Sequence, residues 1–449
     1  MESFRSRAQS AAKPVHIGKV QACTAESLEA SFHTGPVGSV VQITSKRDNQ
    51  SSIGEVIRMV DGSASILPLR QWPAFQPGDE VEWIANRLPL PQPDRCMGRV
   101  LDGTGRVLDG EPIKYGIPSS LPPTAPNPLL RRPLQQPFTT GVKSIDAFVS
   151  LSYGQRIGVL APSGVGKTTL LHQIIHGSSA DLVIVCLVGE RGREIGELVS
   201  RLRPPANADH VDSKWIVVAS TAADPPLARM HSLDLATRIA EWHREAGSHV
   251  LLIVDSLTKY ARAARDVGLA SGEIPATRGY PPSVLTKIPR LIERTGSGPK
   301  GSITAIYSLL LDEDQIGDPI AEEAKASLDG HIVLCPQLAA TGLWPAIDIV
   351  KSISRPMAQF IDSTILNRSQ LIRRLVAHHE LHSDLIEFGG YQKGGDLLLD
   401  LAIQYASEIR AFRMQGPNES VSWKSTQHSL ERLASLLHSA ERLTSPPVT

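Results

Sequence analysis

Gln155-Arg156-Ile157-Gly158-Val159-Leu160-Ala161-Pro162-Ser163-Gly164-Val165-Gly166-Lys167-Thr168-Thr169-Leu170-Leu171 is the stretch whose reading decides the fold. An apolar strand enters a loop carrying two glycines, and LLHQIIHG continues as a helix. Strand, glycine loop and helix in that order form the context of a phosphate-binding loop ending in Gly-Lys-Thr. Gly164 and Gly166 let successive N–H groups turn inward, and the helix amino end adds its positive dipole. The residues expected to hold the phosphates are Ser163, Gly164, Val165, Gly166, Lys167, Thr168 and Thr169. Lys167 would reach the β- and γ-phosphates, and the Thr168 hydroxyl would bind Mg²⁺. Ala161 stands where a first glycine is usual, but Pro162 holds it extended, where a methyl group costs nothing. The competing reading is a strand-to-helix turn with a solvated lysine.

Two further strand ends complete the pattern. HVLLIVDS ends in Asp255, which is expected to hold water on the Mg²⁺ at the carboxyl edge of a sheet. DLVIVCLV leads into Gly189-Glu190-Arg191-Gly192-Arg193-Glu194, and Glu190 leaves the strand where a carboxylate can polarise an attacking water. The competing reading there is a solvated charge run at a helix start.

At 449 residues, with about 150 per domain, roughly three domains are expected. Apolar residues make up 41% and charged residues 20%, the balance of a globular chain rather than a disordered one. Lys+Arg and Asp+Glu both number 46, so no overall basic field exists to hold nucleic acid, and no nucleic-acid partner is expected. The four cysteines are scattered, with Cys186 inside an apolar run, which fits a reduced cytoplasmic compartment. Arg5, Arg7 and Lys13 are not followed by an apolar run, so a signal peptide is not expected, and neither is a spanning helix.

Along the chain, residues 1–92 show short Val- and Ile-rich segments broken by Gly, Asp or Pro, the pattern of a small β-barrel. Leu101-Asp102-Gly103 and Leu108-Asp109-Gly110 each offer an Asp-Gly turn. Seven prolines from Pro118 to Pro137 make an extended lead-in. Residues 93–364 alternate apolar strands with helical stretches, an α/β core with a mostly parallel sheet buried on both faces. Residues 365–449 read as a helical domain, with Leu430, Leu433, Leu436, Leu437, Ala440 and Leu443 on one apolar face.

On GRVLDGTGRVLDG, the Thr139–Leu171 block, VGERGREI, LLIVDSLTKYARA, SGEIPATRGYPPSV and GLWPAIDIVKSISR, the chain resembles the rotary-type hexameric ATPases. That group contains the F-type ATP synthase catalytic subunit and the ATPases of type III secretion and flagellar export. SGEIPATRGYPPSVLTKIPRLIERTG and GSITAIYSLLLDEDQIGDPIAEEAKASLDGHIVL are more similar to the secretion and export branch, and the resemblance is read as injectisome rather than flagellar. It implies a RecA-like core hydrolysing ATP with Mg²⁺. It makes Glu190 the catalytic carboxylate, Arg191 a γ-phosphate contact and Glu194 an outer group for the metal. Arg355 matches an arginine finger supplied by a neighbouring subunit, and Trp344 an aromatic packed on adenine. A homohexamer is implied, attached at the cytoplasmic face of the inner membrane, with secretion chaperones, effectors, stalk and regulator proteins as partners.

Two residues depart from the resemblance. Trp344 replaces the usual Tyr, and Lys259 the usual Arg, which a lysine cannot match in bidentate contacts. The rivals are an ATP synthase catalytic subunit, an RNA-translocating hexamer and a nucleotide-binding scaffold without turnover. His378-His379-Glu380-Leu381-His382 is read as structural, because Ser383 stands where a zinc-binding pattern would need its second histidine.

Overall fold

The computed structural model describes residues 17–24, 26–31, 35–115, 125–203, 214–311 and 318–444. Residues 118–124 of the proline-rich stretch lie outside these. Six strands come first: β1 (Ile17–Cys23), β2 (Leu28–Ser31), β3 (Val40–Thr44), β4 (Ser51–Val60), β5 (Ser63–Pro68) and β6 (Glu80–Ala85). They close into a barrel in the order β1-β2-β5-β4-β3-β6, with β6 returning to pair β1 antiparallel. Alternation drives this: Val41 and Ile43 of β3, Val56 of β4 and Val81 of β6 point into one apolar interior. Closure leaves no free sheet edge. The barrel rests on the rest of the chain through Val40, Leu67, Leu69 and Leu88, packed with Leu227 and Val267.

The core strands are β7 (Val100–Leu101), β8 (Pro137–Phe138), β9 (Leu151–Ser152), β10 (Arg156–Ala161), β11 (Leu182–Glu190) and β12 (Trp215–Thr221). After them come β13 (His249–Asp255), β14 (Gly296–Ser297), β15 (Ser302–Leu310), β16 (Gly330–Leu334) and β17 (Ile347–Ser354). The main sheet runs β17-β16-β10-β15-β13-β11-β12-β7. It is parallel except that β17 lies antiparallel to β16 and β14 antiparallel to β15. The continuous apolar run of β11 follows from burial on both faces. Val183, Val185 and Leu187 enter one core, while Leu182, Ile184, Cys186 and Val188 enter the other.

Helices cover both faces: α1 (Lys143–Phe148), α2 (Lys167–Gly177), α3 (Gly192–Leu202), α4 (Pro226–Ala246), α5 (Leu257–Ala270), α6 (Pro282–Arg294) and α7 (Pro319–Ser327). The short α8 (Pro336–Ala340) and α9 (Met357–Phe360) follow, and then α10 (Ser363–Leu381), α11 (Ser383–Glu387), α12 (Leu397–Gln404), α13 (Ala406–Arg413) and α14 (Trp423–Thr444). The carboxyl-terminal helices dock on the first face through Ile372, Leu375, Leu401 and Phe412, with the Phe412 ring edge-on to Phe148 at 5.7 Å.

Two local expectations are refined. In the first Asp-Gly phrase the left-handed residue is Gly105, φ +83°, not Gly103. Asp102 Oδ1 accepts from the Thr104 and Arg106 N–H groups and makes the turn two residues later. Gly103 is needed for a different reason: a Cβ there would stand 2.2 Å from Ala228 O. On α14, Leu430, Leu433 and Leu437 are buried but Leu436 is 46% exposed. The side chains of Ala440 and Leu443 lie outside the described residues.

Gly141 joins the core to the carboxyl-terminal region. Its φ is +78°, and a Cβ would lie 2.6 Å from Gly177 Cα at the end of α2. Gly141→Ala is therefore expected to destabilise the fold by about 2 kcal/mol, through a strained φ and overpacking, read as a lowered denaturant midpoint with unchanged m.

Candidate functional site

Where β10 ends, the loop turns through Gly164 at φ +83° and Gly166 at φ +81°. Val165 between them is anchored in the core, 4% exposed, and holds the loop on the sheet. Gly166 immediately precedes the 11-residue α2, so its left-handed turn leaves the first N–H groups of the helix free to receive an anion. Ser163, Gly164, Thr168 and Thr169 are exposed. A Cβ on Gly166 would stand 2.6 Å from Trp344 Cζ3, so the indole ring approaches the loop as closely as glycine permits.

The sheet topology brings the sequence-distant carboxylates to this loop. Lys167 Nζ pairs with Asp255 Oδ1 at the end of β13, and Ser308 Oγ donates to the same oxygen at 2.7 Å. Glu190, at the end of β11, is 5% exposed. Lys259 Nζ on the first turn of α5 forms an ion pair with Glu190 Oε1 at 2.5 Å. Burial and the charge of Asp255 push the Glu190 carboxyl above its ordinary range, and Lys259 pulls it back part of the way. Lys259 thus answers the carboxylate as a point charge, where a planar fork is not required.

Thr168, His172, Glu190, Glu194, Leu198 and Asp255 enclose a space of about 30 Å³, room for a water. Arg191 is not drawn into it. Its side chain is 83% exposed and only 4.0 Å from Glu194 at best, a surface pair of little energetic weight.

Beyond the phosphate end, a cleft of about 610 Å³ opens between α2, Trp344-Pro345 and the segment Met414–Glu419. Trp344 is 41% exposed along it. Its carbonyl accepts from Gln415 N at 2.8 Å, and Gln173 Nε2 on α2 donates to Gly416 O at 2.7 Å. Neither Gln173 nor the Met414–Glu419 wall was named from sequence, because no local motif marks a wall contributed by a loop more than two hundred residues away. Ser308 escaped for the same reason.

Arg355 is far from this site in its own chain. β17 runs antiparallel, so Ser354 pairs with Gly330 at the start of β16. Arg355 N donates to Asp329 O at 2.9 Å, and Asp329 N to Arg156 O at 2.8 Å. Arg156 begins β10, whereas the loop leaves its last residue, roughly 17 Å along the strand. The guanidinium donates to Lys325 O and Leu328 O, both at 3.1 Å, at the carboxyl end of α7.

With this geometry in view, relatives can be compared. The chain matches the ATP synthase alpha/beta family, nucleotide-binding domain, over residues 141–354. Residues 361–432 match the T3SS EscN ATPase C-terminal domain. It is 39% identical to the flagellum-specific ATP synthase of Salmonella typhimurium, over 92% of each chain. With the type 3 secretion system ATPase of Sinorhizobium fredii the identity is 37%, over 93% of this chain and 92% of that one. The chain belongs to the type III secretion and flagellar ATPases of the ATP synthase alpha/beta family. The assembled ATPase EscN from the type III secretion system of enteropathogenic E. coli superposes with a TM-score of 0.86 at 38% identity, covering 93% of this chain and 100% of that one.

As a member of this family the protein is a nucleotide-binding ATPase of type III or flagellar protein export. The Thr168 hydroxyl and the Asp255 and Glu194 carboxylates are hard oxygen donors of the kind Mg²⁺ takes together with phosphate oxygens. Glu190 lines the same space, where its carboxylate can accept a hydrogen bond from a water.

Glu190→Gln is expected to lower turnover by about 10²- to 10⁴-fold while fluorescent-nucleotide binding persists. A carboxylate accepts a proton only when ionised, so turnover should fall on the acid side, at a pH above the ordinary glutamate value of about 4.3. Lys259→Ala removes the neighbouring cation and should move that acid limb to higher pH in a kcat–pH profile.

Proposed function

We propose that the chain is a homohexameric ATPase of an injectisome-type secretion system, with each active site completed by the neighbouring copy. The observation that carries this reading is the position of Arg355: exposed, hung on the carbonyls of α7, and a strand's length from its own phosphate loop. In a ring of identical subunits that arginine serves the next site. The assembled state of EscN, and its complex with the central stalk EscO (37% identity, TM-score 0.83), supports a ring with a stalk.

In the proposed mechanism ATP lies with its phosphates on Ser163–Thr169 and its base on Trp344. Lys167 exchanges Asp255 for the β- and γ-phosphates, because a triphosphate offers more negative charge than one carboxylate. Thr168 and Asp255, with Glu194 outside them, would hold Mg²⁺, which would supply neutralisation of phosphate charge. Glu190 orients the attacking water and takes its proton. The neighbour's copy of Arg355 balances charge growing on the transferred phosphoryl group, and Arg191, which points to solvent here, would have to turn inward to join it.

Hydrolysis is coupled to detaching chaperones and unfolding effectors for export. The carboxyl-terminal helices are the surface offered to them, with Leu381 78% and Phe388 88% exposed there. Regulator proteins, a stalk and a peripheral place at the cytoplasmic face of the inner membrane complete the reading. No helix among the described residues is long and apolar enough to cross a membrane. The injectisome branch is favoured by the match of residues 361–432 to the EscN carboxyl-terminal domain; complementation of secretion in an injectisome-ATPase deletion, against motility in a flagellar one, tests that choice.

A shared site predicts intersubunit rescue. Glu190→Gln and Arg355→Ala are each expected to be inactive alone, and mixed rings should recover part of the wild-type rate. No recovery at any mixing ratio overturns the shared arrangement.

A further inference from the structure

We propose that Gln173 reads the edge of the base and makes this site select a 6-aminopurine. The inference rests on the reading above that the base lies on Trp344. Thr169, Leu170 and Gln173 share the α2 face that lines the cleft. Gln173 follows Lys167 by six residues, about 9 Å along the helix axis. With the phosphates on the amino end of α2, that is where the far edge of a base comes to lie.

The chemistry of the wall gives the preference. Gln173 is 4% exposed. Its Nε2 donates to Gly416 O at 2.7 Å; a carbonyl can only accept, which settles which way the amide is turned. Its Oε1 therefore remains as an acceptor on the cleft wall, with no described residue donating to it. Gln415 is fully used, accepting from Lys143 N at 2.8 Å and donating to Gly141 O at 2.7 Å and Glu419 O at 2.9 Å. Glu419 accepts from Gly416 N at 3.0 Å, and its carboxylate has nothing to donate. A base carrying an amine at C6 complements such a wall. A base carrying a carbonyl at C6 sets oxygen against oxygen.

Steady-state kcat/KM for ATP, ITP and purine riboside triphosphate tests this. The wild-type protein should lose about fivefold to tenfold with purine riboside triphosphate, which lacks the amine, and more with ITP, chiefly in KM. Gln173→Leu should bring the three substrates within about twofold of each other. Equal wild-type values for ATP and purine riboside triphosphate overturn the proposal without any variant being needed. So does a Gln173→Leu protein whose KM rises by the same factor for all three, since that is the signature of a wall merely loosened. Trp344→Ala separates the two readings: a KM raised for all three substrates supports a base on Trp344, and an unchanged KM overturns that stacking, whatever Gln173 does.

Discussion

The arrangement depends on one residue without a side chain. Gly166 turns the chain through a left-handed φ into α2 and at the same time lies against the Trp344 ring at a distance no Cβ could share. The first property exposes the helix amino end to an anion, and the second brings the cleft beside Trp344 up to that anion. The glycine loop and the wall proposed to hold the base are thereby set at a fixed separation by backbone, with little left to flexible side chains.

Around this point the charges are arranged in pairs. Lys167 with Asp255 and Lys259 with Glu190 are lysine–carboxylate contacts at adjacent strand ends, each largely withdrawn from water. Burying four charges is tolerable because each has a close opposite, and removing either member leaves the other uncompensated. Such pairing keeps the site compact before substrate arrives. It also supplies a lysine that a triphosphate can draw away and a carboxylate whose pKa burial raises above its ordinary range. In the proposed ring the arginine comes from outside, so the charge balance is completed only on assembly.

Much of this was legible locally. The Gly-Lys-Thr loop, the Asp255 strand end and the Glu190 strand end each carry their meaning in a handful of consecutive residues, and two-faced burial explains why β11 shows no alternation. The misreadings were also local. Gly103 looked like the turn glycine, but Asp102 folds its carboxylate over Thr104 and Arg106 and moves the turn to Gly105. Leu436 has helical spacing but lies at the margin of the buried stripe, since 3.6 residues per turn carry it past the contact with α1 and α10.

Sequence by itself determined the elements, the phosphate loop and the residue types at the strand ends, because those follow from periodicity, φ preferences and short-range hydrogen bonding. Tertiary structure alone decided that Lys259 answers Glu190, that Gln173 and Gln415 hold the Met414–Glu419 wall over α2, and that Arg355 lies at the opposite end of the sheet from its own loop. The reason is physical: strand order and the antiparallel turn of β17 set these distances, and both are settled by which apolar faces bury against each other, over separations that no local pattern encodes.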